Sequence, residues 1–240
     1  MCSKSKSLII CITLSLLIIA LSGCTPEVVP VDVTVPVMKK LSGDKMTFTH
    51  ELNGNTITTS YDLGGYKLEN WRITDSKSIN LSVGVKKKNA DSEILVEHVH
   101  ADVSIKSTDP QLNGLTQDTM DNSYHGTSQD GFFINEKYSY ANIFAIEGFS
   151  KDIIDGWMFY QGEYGNGQML TKRLTENTLL ESGTYGSQIT VVYNLLVKNP
   201  GDDKYHIESL EDRILIPTAA VIQASKEQEA AEHAKTKTQN

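Results

Sequence analysis

The chain has 240 residues, with 22 lysines and arginines against 30 aspartates and glutamates, a formal net charge of -8 and a mean hydropathy of -0.28. So acidic a surface is repelled by phosphate backbones and anionic headgroups, which argues against nucleic acid as a partner. Cys2, Cys11 and Cys24 are the three cysteines. Beyond residue 24 there is therefore no thiol for nucleophilic catalysis, metal binding or redox exchange, and no disulfide to staple the fold.

The chain opens with Lys4 and Lys6, an apolar run over residues 8–20, and then Leu21-Ser22-Gly23-Cys24. A short basic segment, an apolar stretch too brief to span a bilayer comfortably and small residues before a cleavage point describe a secretory signal peptide over residues 1–23. The last four residues resemble the bacterial lipobox. That resemblance implies diacylglycerol on Cys24, which becomes the first mature residue, and a protein held outside the cytoplasm on the bacterial cell membrane. Loss of Lys4 and Lys6 makes the mature chain more acidic still, and the thioether-linked lipid is the only attached group expected. Two acyl chains, at about 0.8 kcal/mol per buried methylene, suffice for stable anchoring.

Residues 24–41 hold three of the six prolines, Pro26, Pro30 and Pro36, interleaved with valines. Proline cannot donate to a ladder, so this stretch reads as an extended tether between lipid and domain; the alternation of Val31, Val33, Val35 and Val37 also suits an edge strand. Residues 46–51 and 56–61 then flank Asn53-Gly54, a strong hairpin signal. Further strands are predicted at 66–73, 79–86, 93–106, 132–134, 137–147, 156–160, 188–198, 204–207 and 213–216. Short strands punctuated by Gly, Asn and Asp indicate an all-β sandwich rather than alternating βα units. The strand 188–198 has Ile189, Val191, Tyr193, Leu195 and Val197 on one apolar face, and Lys198-Asn199-Pro200-Gly201 and Tyr205 follow it. This pattern resembles immunoglobulin-like domains of Gram-positive surface lipoproteins and implies an immunoglobulin-like sandwich over residues 42–217, undivided or split into two smaller units near 109–123.

Helix is scarce. Leu170, Arg173, Leu174 and Thr178 stand at helical spacing within 168–181. The polar tail, 218–240, carries Ser225-Lys226-Glu227-Gln228, similar to a capping box, ahead of good helix formers and reads as a short surface helix or a disordered tail.

One spacing points to chemistry. In a strand, His98, His100 and Asp102 project from one face while Val99, Ala101, Val103 and Ile105 project from the other, so two imidazoles and a carboxylate are available to a metal. His98-Val99-His100-Ala101-Asp102 resembles the His-x-His-x-Asp opening of the metallo-β-lactamase motif, which implies a metal-dependent hydrolase; the histidine that motif places after the aspartate is Val103 here. The aromatics form a second candidate. Eleven of the 18 Phe, Tyr and Trp residues fall between Tyr124 and Tyr164; most read as core, and any that are exposed, with Tyr138, Tyr140, Trp157 and Tyr160 as the candidates, read as a surface for stacking on sugars or for a protein partner. Gly-x-Ser-x-Gly and His-Glu-x-x-His motifs are absent. The chain therefore reads as a binding or assembly component of the bacterial envelope rather than an enzyme, its partner an envelope protein or a cell-wall glycan.

Overall fold

The computed structural model describes residues 38–124, 131–148 and 174–238. Cys24, Trp157, Tyr160, the predicted signal peptide and the strand predicted at 156–160 lie outside these residues. Ten strands are described: β1 Lys39–Lys40, β2 Lys45–Leu52, β3 Asn55–Asp62, β4 Lys77–Lys86, β5 Glu93–Ser107, β6 Thr116–Ser123, β7 Phe132–Ile134, β8 Tyr140–Ile146, β9 Thr184–Lys198 and β10 His206–Pro217. The helices are a 3-10 turn at Leu68–Asn70, α1 at Glu176–Glu181 and α2 at Ala219–Thr238.

The strands form two sheets. The larger runs β1-β10-β9-β5-β6, with β7 pairing the start of β5 beyond the end of β6; the smaller runs β2-β3-β4-β8. All pairings are antiparallel except β1 with β10. The expected all-β sandwich is what forms. Its core comes from alternation: Ile189, Val191, Tyr193, Leu195 and Val197 of β9 are all buried and meet Ile57, Ile79, Leu81, Val83 and Phe144 of the smaller sheet. Each such side chain contributes roughly 1.5–3 kcal/mol on burial, which lets the domain hold without a disulfide. A satellite cluster of Ile73, Ile105, Leu112, Leu174 and Leu179 closes one end.

The Asn53-Gly54 hairpin forms as expected, with φ of 52° and 82° at the two residues, the left-handed pair of a type I′ turn. In β5 the ladder shifts between Val96 and His98, so Ile94 and Val96 share the buried face with Val99, Ala101, Val103 and Ile105 despite opposite parity.

Several expectations need correction. The tether does not extend to residue 41: Lys39–Lys40 pairs with Ile214 and Leu215, and Leu41 is buried. The stretch 66–73 is not a strand. Gly64 and Gly65, at φ 63° and 91°, turn the chain into the 3-10 helix, and the Asp44 carboxylate accepts from the Leu68 amide. Residues 116–123 form strand β6 where a division between two units was the alternative, and the described residues belong to one compact unit. The strands predicted at 204–207 and 213–216 are one strand, β10. Within the predicted 168–181 segment, Glu176–Glu181 form helix α1, with Thr175 and Thr178 making its capping box, and 168–173 lie outside the described residues. Helix α2 starts earlier than Ser225, where the Thr218 hydroxyl accepts from the Val221 amide.

Candidate functional site

The outward face of the larger sheet carries the residues singled out by spacing. Register places Ser209, Asn194, His98 and Ser123 in one cross-strand row, and Glu211, Val192, His100 and Asp121 in the next. His98 Nε2 lies 2.9 Å from Asp121 Oδ1 and His100 Nδ1 lies 3.2 Å from Asp121 Oδ2, so one carboxylate bridges two imidazoles. The ring centroids are 6.5 Å apart. Hydrogen bonds first from His98 and then from His100 hold the Asp121 carboxyl below the usual carboxylate range. The Ser209 hydroxyl donates to the side-chain Oδ1 of Asn194 at 2.7 Å, which extends the polar network to β10.

Asp102 does not join the histidines. It lies one row further along, opposite Thr190 and Thr119, and burial pushes its carboxyl above the ordinary range. The predicted metal set is thus corrected: the carboxylate shared by His98 and His100 is Asp121, contributed by β6, a strand the sequence did not predict. Among the described residues no group of three or more His, Cys, Asp or Glu side chains is placed to hold a metal ion.

The aromatic surface also changes membership. Tyr138 is 66% exposed, but Tyr140 is buried, its hydroxyl accepting from Asn122 and Asn142 and its ring packed edge-on against Phe132. Parity explains this: Tyr140, Phe144 and Ile146 face the core. What the fold exposes instead is a row across four strands: Ile207 of β10, Leu196 of β9, Leu95 of β5 and Phe133 of β7 are consecutive register partners. Ile207 is 68% and Phe133 45% exposed, with Leu95 and Leu196 half-buried between them. Lys87 Nζ stands 5.1 Å from the Phe133 ring centre, and Tyr205 beside the row donates to Glu93. The row borders the His98 row, so an apolar strip and a polar, titratable strip lie side by side.

The opposite outer face, on the smaller sheet, is different in character. A groove of about 660 Å³ crosses its four strands, where Thr47, Ser60, Asn80, Ser82 and Asn142 stand among Met46, Ala141 and Ile143, with the Lys45–Asp62 ion pair at one side.

A third constellation, which sequence reasoning missed, lies inside the sandwich. Asp212 of β10 is 1% exposed; its Oδ2 accepts from the Thr59 and Tyr61 hydroxyls, and His50 Nε2 lies 2.9 Å from its Oδ1. Burial first, then the neighbouring Tyr193 and Asp212, push the Tyr61 hydroxyl well up, so it stays a donor. The signal was present in β10, where Leu210, Asp212, Ile214 and Ile216 share one parity and only the second is polar. Because β2 and β10 lie at the same side of the sandwich, this network and the Asn53–Glu208 hydrogen bond fasten the two sheets together along that side.

No family model matches the chain, and no curated protein matches it. Among solved structures, the crystal structure of a protein from Archaeoglobus fulgidus is 10% identical, over 65% of this chain and 94% of its own, with a TM-score of 0.31, a likeness too remote to carry an argument.

Proposed function

We propose that this chain is a lipid-anchored, extracytoplasmic binding component of a bacterial envelope, held through diacylglycerol on Cys24, which recognises a protein partner noncovalently through the outer face of the larger sheet. The observation that carries the reading is the row Ile207, Leu196, Leu95 and Phe133. Four apolar side chains in register across four strands form a contiguous strip, and such a strip rimmed by polar groups is the anatomy of a recognition surface. Its aliphatic content favours a protein over a sugar, since sugar faces are met by aromatic rings with polar groups around them. The adjoining His98, His100, Asp121 and Asn194 supply the polar rim.

The test is crosslinked recovery of the full lipoprotein from intact host cells, scored by mass spectrometry for wild type, Cys24→Ala and Ile207→Glu. A stoichiometric protein recovered with wild type and lost with Ile207→Glu supports the reading. Recovery that Ile207→Glu leaves unchanged overturns the assignment of this face. A second reading, attachment to cell-wall glycan, rests on the hydroxyls and amides of Thr47, Ser60, Asn80, Ser82 and Asn142 in the otherwise apolar groove on the smaller sheet rather than on the aromatic surface first expected. Retention on purified wall material that is abolished by Ser82→Leu identifies that case.

A further inference from the structure

The polar rows beside the apolar strip admit one order of protons. Asp121 stands opposite His100 across the β5–β6 ladder, and hydrogen bonds from His98 and then His100 hold its carboxyl below the usual carboxylate range, so at neutral pH it is ionised and can only accept. His98 Nε2, 2.9 Å from Asp121 Oδ1, and His100 Nδ1, 3.2 Å from Oδ2, must therefore both carry hydrogen. The other nitrogen of His98 is engaged as well. Its Nδ1 lies 3.4 Å from Asn194 Nδ2, an amide donor whose own Oδ1 accepts from the Ser209 hydroxyl at 2.7 Å. The chain of donors from Ser209 through Asn194 and His98 to Asp121 thus fixes the two neutral imidazoles in opposite tautomers, Nε2–H at His98 and Nδ1–H at His100.

One atom of this chain is left open, His100 Nε2. It bears a lone pair, it makes no hydrogen bond among the described residues, and the side chain is 40% exposed. A carboxylate behind the first nitrogen of an imidazole sets the ring's orientation and tautomer, and so presents the second nitrogen as a fixed acceptor. Around it, β5 supplies His98 and Asp102, whose carboxyl burial pushes up and His100 draws back; β6 supplies Asp121; β9 supplies Asn194, Val192 and Thr190, without charge; and β10 supplies Glu211 paired with Arg213. From Leu196 in the apolar strip to Val192 beside His100 is four residues of β9, about 13 Å. An interface of ordinary size, about 800 Å² on each partner, centred on the strip therefore reaches His100.

We propose that His100 is a specificity-determining residue of this face: its Nε2 accepts a hydrogen bond from an N–H or O–H of the protein partner, and acidification ends the recognition. The inference rests on the reading of the larger sheet as the docking face. In the neutral ring Nε2 is an acceptor. Proton uptake places hydrogen on Nε2 while Nδ1–H stays on Asp121, so the partner's donor then meets a second donor. Two donors opposed in a desolvated interface are both left unsatisfied, which is worse for binding than the mere absence of one contact.

Long-range ¹⁵N–¹H correlation spectra of the full lipoprotein in micelles, labelled at histidine, read the tautomers directly, and crosslinked recovery from intact cells reads the recognition. At about pH 8 His100 is expected as the Nδ1–H tautomer and His98 as Nε2–H. Asparagine places an amide N–H where Nδ1–H stood and leaves nothing at Nε2, whereas glutamine places its amide oxygen near Nε2. His100→Asn is therefore expected to lower recovery of the partner at least tenfold at about pH 8, and His100→Gln to keep it at both about pH 8 and about pH 5, between which wild type loses it at least tenfold. Thermal unfolding of each variant establishes that it is folded. His100 found with its proton on Nε2, recovery indifferent to His100→Asn, or equal wild-type recovery at the two pH values would each overturn the proposal. Loss with Ile207→Glu beside indifference to His100→Asn leaves the docking face standing and removes only the role of His100, while a wild type that recovers nothing at either pH overturns both.

Discussion

Removal of the buried Asp212 carboxylate is the sharpest test of how the two sheets are joined. In Asp212→Ala the Thr59 and Tyr61 hydroxyls and His50 Nε2 lose their common acceptor at a position only 1% exposed to solvent. Breaking one side of a buried, hydrogen-bonded charge network costs about 3–5 kcal/mol, a large share of the 5–15 kcal/mol that keeps a domain folded. Summing three stranded donors separately would give a higher figure, but the hydroxyls can relax toward one another and such terms do not add. With a urea slope of about 2 kcal/mol per molar, a loss near 4 kcal/mol moves the unfolding midpoint down by about 2 M, read by far-ultraviolet circular dichroism at pH 7. The fourfold variant Asp212→Leu, His50→Leu, Thr59→Val, Tyr61→Phe removes donors and acceptor together and should recover most of the loss, because a buried polar network replaced by apolar groups of similar shape is close to neutral. A midpoint shift below about 0.5 M for Asp212→Ala would refute the reasoning: it would mean that the carboxylate is not what fastens β10 to β2 and β3.

Two further predictions concern the loop that closes the sandwich's other end. Lys77 is buried, its Nζ donating to the carbonyls of Arg72, Ile73 and Asp75 and lying 4.7 Å from the Trp71 ring centre; burial lowers its pKa from 10.5 to about 8. Between about pH 8 and 10.5 the unfolded chain holds a proton that the folded chain has released, so this group makes stability rise with pH there and contributes no slope below. Chemical denaturation from pH 7 to 10 should show that rise in wild type relative to Lys77→Met; parallel profiles would sink the assignment. The Glu176 carboxylate accepts from the amides of Ile73 and Thr74 and from the Thr74 hydroxyl, at 3.1–3.2 Å. Glu176→Ala is expected to cost about 2 kcal/mol and to speed amide exchange at Ile73 and Thr74 ahead of the β-strand core, while unchanged exchange at those two amides would count against it.

Local signals carried much of this architecture, and the misses have a common cause. Asn53-Gly54 and the uninterrupted alternation of β9 are properties of a few adjacent residues, so they were legible. Strand β6, Thr-Gln-Asp-Thr-Met-Asp-Asn-Ser, has the composition of a turn; it is extended because β5 offers it a ladder, a fact located some twenty residues away in the chain. The same distance hid Asp121. That His98 and His100 share a face followed from period two, but which carboxylate lay beside them depended on a pairing no local pattern records. In β10 a single polar residue in the buried phase split the predicted strand into two, and that break in the pattern marks the Asp212 network that fastens the sheets. The shift at Glu97 in β5 was invisible for the opposite reason, since one inserted residue changes parity without changing composition.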